Sequence, residues 1–173
     1  MNLEKHKYPI GKFVKPTTIT SGHIQEWIET IEKLPDELSQ IVPNLSSDQL
    51  QTPYRPDGWT AEQVIHHLAD SHMNAYIRCK LALTEEHPTI KPYFENRWAE
   101  LKDGKQFPVM ISLQLLTALH FRWVYLLRSL YETDFRKSFF HPESKRIILL
   151  EEVIGVYAWH GRHHTAHIKM CIK

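Results

Sequence analysis

The chain has 173 residues, 42% of them hydrophobic, with 21 basic residues against 20 acidic and a net charge of +1. This length supports one domain, spanning 1–173, with its own core, and the charge balance excludes the electrostatic footprint that nucleic acid or an anionic membrane surface requires. Cys79 and Cys171 form neither a CxxC pair nor a disulfide framework, the N-terminal MNLEKHKYPIGKFVKP lacks the apolar centre of a signal peptide, and no stretch approaches about 18 apolar residues, so the expected setting is the cytoplasm.

Four segments carry helical spacing of apolar residues. Residues 21–42 place Ile24, Trp27, Ile28, Ile31, Leu34, Leu38 and Ile41 at intervals of three and four, with Pro35 as an expected kink. A second helix begins at GWTAEQ, where Thr60 and Gln63 have capping-box spacing, and continues through Ile65, Leu68, Ala75, Cys79 and Leu83. Residues 84–108 hold Pro88, Pro92 and Gly104 and form a long connection, with a short helix at ENRWAELKD and enough length for a crossover along the bundle. A third helix over 111–130 sets Leu113, Leu116, His120, Trp123, Leu127 and Leu130 on one stripe. Two short apolar runs around His141-Pro142-Glu143-Ser144 suit a β-hairpin or an ordered loop, and a fourth helix fills 150–171. The expected fold is all-α, a four-helix bundle.

The stretch WHGRHHTAHI at 159–168 carries four histidines. With about 100° per residue, His164 lies about 20° from Tyr157 at the centre of the apolar stripe, His160 about 60°, His167 about 80° and His163 about 120°. His160 and His164 are therefore the inward pair, and their i, i+4 relation lets two imidazoles address one metal. His163 and His167 fall on the flank. Helix two supplies HHLADSH, in which His66 points off the stripe, His72 falls on it and His67 sits at its edge. Five residues turn a helix by about 140°, so His67 and His72 cannot both reach one ion from a straight helix. Angle favours His72 as the buried one, whereas His67 at the edge has Asp70, Ser71 and Asn74 nearby.

Three long motifs, YPIGKF at 8–13, GWTAEQVIHHLADSHMNAYIRCKLALTEEHPTIKPY at 58–93 and YAWHGRHHTAHI at 157–168, resemble the YfiT group of the DinB-like bundle proteins over essentially the whole chain. The resemblance implies an up-down-down-up four-helix bundle, often a homodimer, with one divalent metal held by three histidines. Carried onto the matching residues, these are His67, His160 and His164. Similar sequences often read KPYDE where this chain has Lys91-Pro92-Tyr93-Phe94-Glu95, so Glu95 would have to replace the missing acid, and Gln often stands where His167 does here.

Three neutral imidazoles leave an ion its double charge and an open position, the mark of a catalytic rather than a structural site. Zn2+ is expected, with Ni2+ and Fe2+ compatible. Cys79 lies about 18 Å along the helix from His67 and Cys171 about 10 Å from His164, so any thiol reagent comes from outside. Asp70, at i, i+3 from His67, and His167 are the candidate catalytic or orienting groups. The expected activity is a metal-dependent hydrolase acting on a small molecule by activating water. Its alternatives are an S-transferase joining a low-molecular-weight thiol such as bacillithiol to an electrophile, as some DinB-like proteins resemble, and a non-catalytic metal-binding bundle.

Overall fold

Apolar residues recurring every three or four positions become four long helices in the computed structural model, which describes residues 3–172. In chain order the helices are α1 (Leu3–Lys7), α2 (Ser21–Ile41), α3 (Ser47–Gln51), α4 (Ala61–Thr84), α5 (Glu95–Trp98), α6 (Lys102–Lys105), α7 (Val109–Arg128) and α8 (Leu150–Met170). The strands β1 (Ser138–His141) and β2 (Arg146–Leu149) pair antiparallel just before α8, so the hairpin rather than an unpaired loop forms. The expected capping box starts α4: Gln63 N–H donates to Thr60 Oγ1 at 3.2 Å, and Thr60 N–H donates to Gln63 Oε1 at 3.1 Å.

The helix pairings fix the topology. Helix α4 packs on α7 and α8, and α2 packs on the same two, so consecutive helices α2 and α4 lie on a diagonal, as do α7 and α8. His66 meets Ser112 and His72 meets His120, so α4 and α7 run parallel. Ser71 meets Tyr157 and His67 meets His160, so α8 opposes α4. The result is an up-down-down-up bundle, and the parallel pair α4 and α7 is possible only because residues 85–108 return along the bundle. The expected single helix in that crossover is two short turns, α5 and α6, separated by residues 99–101. The hairpin pins the crossover: Phe140 N–H donates to Pro88 O at 2.9 Å, and Ile90 N–H donates to Phe140 O at 3.1 Å.

Helix α2 runs unbroken through Pro35. Proline has no N–H, so Ile31 O loses its usual partner four residues on. A side chain from α7 replaces it, as His120 Nδ1 lies 2.6 Å from that carbonyl. Among the described residues α7 is long and apolar enough to cross a membrane by those two criteria. Here it forms the bundle core instead, burying Leu113, Leu116, His120, Trp123 and Leu127 against α2 and α4.

The core is two apolar clusters stacked along the bundle. One gathers Ile28, Ile31, Ala75, Trp123, Leu127 and Ile154, the other Leu34, Leu38, Leu68, Leu116 and Ile168. Along α4, α7 and α8 the residues between these clusters include His72, His120, His160 and His164, so a layer of imidazoles divides the two halves.

Candidate metal centre

Helix α8 reaches this layer through two close approaches to α2. A Cβ on Gly155 would stand 2.9 Å from the Trp27 ring, and one on Gly161 would stand 2.6 Å from Leu34 Cδ2. Missing side chains at these positions let α8 sit close enough for its histidines to meet α4.

His67 Nε2 and His160 Nε2 lie 3.3 Å apart, and the ligand nitrogens of His67, His160 and His164 all lie within 4.8 Å of one another. Tetrahedral coordination with metal–nitrogen bonds of about 2.0–2.1 Å sets donors about 3.3–3.4 Å apart, so the His67–His160 spacing fits an ion. Burial holds the three rings neutral. It brings His67 down to about 4, and burial together with the neighbouring imidazoles puts His160 and His164 well below the usual histidine range. At neutral pH each therefore offers a lone pair rather than a charge.

The three rings open onto a cavity of about 390 Å³ whose walls include Tyr8, Tyr54, Trp59 and Trp159, with Lys7, Arg55, Asp57 and Glu95 supplying charge. A larger groove of about 540 Å³ lies between α2 and α7, but its one histidine, His120, has both ring nitrogens engaged elsewhere. Glu95, next to Phe94 where similar sequences carry the acid of KPYDE, lines the metal-site cavity. Desolvation and the Glu143 carboxylate raise it above the ordinary glutamate range.

The remaining histidines have distinct places. His72 is fully buried, as its angle predicts, yet its Nε2 meets His160 Nδ1 at 3.2 Å instead of joining the ligand group. His66, off the apolar stripe, is nevertheless buried against the start of α7, with contacts to Ser112 Oγ at 2.7 Å and Phe107 O at 3.1 Å. His163 and His167 are not on an open flank: they are 6% and 1% exposed. Tyr54 stacks on His167 at 3.8 Å and Tyr8 lies 6.0 Å from His163, so the N-terminal segment and the loop before α4 cover that side. His163, His164 and His167 form a second group with nitrogens within 4.8 Å. Asp70 does not line the cavity, and no hydrogen bond joins it to His67 among the described residues. Burial and Asp103 raise it to about 6.

Residues 30–168 match the DinB superfamily. The chain belongs to that superfamily. Proteins named putative metal-dependent hydrolase from Bacillus mycoides (strain KBAB4) and Bacillus cereus (strain 03BB102) are each 57% identical over 162 residues, covering 94% of this chain and 92% of the relative. The solved structure of YfiT from Bacillus subtilis, described as a probable metal-dependent hydrolase with an unusual four-helix bundle topology, superposes with a TM-score of 0.93 at 49% identity. That match covers 96% of this chain and 95% of YfiT. As a DinB-superfamily chain with a diagonal helix order, the protein keeps its histidine clusters in a layer that could bind metal.

Proposed function

We propose that the chain is a metal-dependent hydrolase in which His67, His160 and His164 hold one divalent ion, Zn2+ ahead of Ni2+ or Fe2+, in the cytoplasm. The observation that carries this reading is the 3.3 Å approach of two Nε2 atoms, from the buried His67 and the half-buried His160, beside a cavity large enough for a small substrate. Free thiols at the buried Cys79 and Cys171 are compatible with a reducing compartment. When bound, such an ion supplies Lewis acidity toward a carbonyl or water. The chain would contribute the rest: Tyr8, Tyr54, Trp59 and Trp159 wall the cavity, and Glu95 at its lining would carry the proton.

Two experiments test the reading together. Metal-loaded protein assayed against a panel of small amides and esters should turn over at least one, and Glu95→Gln should cut that rate by about 10²-fold or more while metal content stays unchanged. Turnover that required added bacillithiol or glutathione would replace hydrolysis with thiol transfer. Bound metal with no turnover in either screen would leave a non-catalytic metal-binding bundle.

A further inference from the structure

Resting on that ligand assignment, we propose that His72, His120 and His167 are positioning residues: two buried imidazole chains, each anchored on a main-chain carbonyl, hold His160 and His164 as Nδ1–H tautomers with Nε2 free for the ion.

Proton counting fixes the direction of the first chain. A carbonyl can only accept, so His120 Nδ1–H donates to Ile31 O across 2.6 Å. His120 is buried and carries a single ring proton, which leaves Nε2 bare to accept from His72 Nδ1–H at 2.9 Å. The same counting leaves His72 Nε2 to accept from His160 Nδ1–H at 3.2 Å. His160 then has its lone pair on Nε2, the atom that lies 3.3 Å from His67 Nε2. Pro35 starts the sequence, because its missing N–H leaves Ile31 O open to a side-chain donor.

The second chain has its own anchor. His167 Nε2–H donates to His6 O at 3.1 Å, so His167 Nδ1 is bare. It accepts from His164 Nδ1–H at 3.3 Å, and the lone pair of His164 falls on Nε2. In this arrangement the one lone pair of His167, on Nδ1, is taken up by His164 Nδ1–H rather than offered to the ion. Metal-bound histidines commonly donate their second nitrogen to a carbonyl or carboxylate. Here imidazoles relay that role over one further ring for His164 and two for His160.

The test is a long-range ¹H–¹⁵N correlation of histidine rings in metal-free protein, followed by metal titration against a chromophoric chelator. We expect Nδ1–H tautomers at His72, His120, His160 and His164, and Nε2–H at His167. His120→Phe, which never touches the ion, should shift His160 toward the Nε2–H form and weaken Zn2+ by about 10–100-fold. Added to His72→Phe, it should cost nothing further in affinity. His167→Phe should act likewise on His164. An Nε2–H signal from His160 in the wild type, or unchanged affinity in both His120→Phe and His167→Phe, would overturn the relay while leaving the ligand assignment intact. If His120→Phe fails to fold, the wild-type tautomers and His167→Phe decide. Failure of the wild type to bind Zn2+, Ni2+ or Fe2+ would instead overturn the ligand assignment itself.

Discussion

At His67, His120 and His167 the same force acts: burial removes water that would solvate an imidazolium, and each ring is brought down to about 4. In the unfolded chain these groups titrate near 6.5, so below that pH the unfolded state binds protons that the folded state refuses. Stability is therefore unaffected by these rings above pH about 6.5 and falls progressively as pH drops toward about 4. Asp70 acts in the opposite sense, because a carboxyl raised to about 6 takes up its proton earlier when folded and favours the fold as pH falls below that value. The histidines outnumber it. Urea midpoints of metal-free protein should decline from pH 7.5 to 5, and His120→Phe should flatten that decline; a midpoint rising over this range would contradict the assignment of neutral buried rings. Single-helix geometry made His160 and His164 legible as the inward pair, because both lie within about 60° of the stripe centre. It misplaced His167, since a helical wheel has no knowledge of Tyr54 and the N-terminal segment closing over the flank. His67 was reached through family resemblance, and His72 was correctly read as buried but has a hydrogen-bonding place beside His160.

Among the elements, α8 depends on close contact with α2, and Gly155 is the position where that contact is tightest against rigid groups. Gly155→Ala would press a methyl group against the rings of Trp27 and Phe13 at 2.9 and 3.0 Å. The gain in helix propensity is about 1 kcal/mol, whereas overpacking costs about 1–3 kcal/mol, so a net loss of about 1 kcal/mol is expected in chemical denaturation. A variant as stable as wild type would show that Trp27 moves freely. Helix periodicity and the Thr60 capping box were readable from local sequence because their causes are local. The partner that Ile31 O takes where Pro35 has no N–H was not: it is His120, 89 positions away.

For the molecule as a whole, the diagonal order places α4 beside both α7 and α8, so one helix brings His67 to α8 and His72 to α7. The long connection signalled a crossover, the resemblance implied the up-down-down-up order that makes the helices on either side of it parallel, and the pairings of α4 with α7 bear that order out. The two apolar clusters on either side of the histidine layer carry the stability against which that polar layer is held. Leu68→Ala, in a fully buried position of one cluster, should cost about 2–5 kcal/mol. A loss below about 1 kcal/mol in urea unfolding would mean that the cluster collapses around the gap. The measurement closest to the central claim is elemental analysis of chelator-free protein beside His67→Ala, His160→Ala, His164→Ala and His72→Ala. One divalent ion per chain is expected in the wild type, none in the first three variants, and a retained but more weakly held ion in His72→Ala. Full metal content in His67→Ala together with its loss in His72→Ala would contradict the site described above.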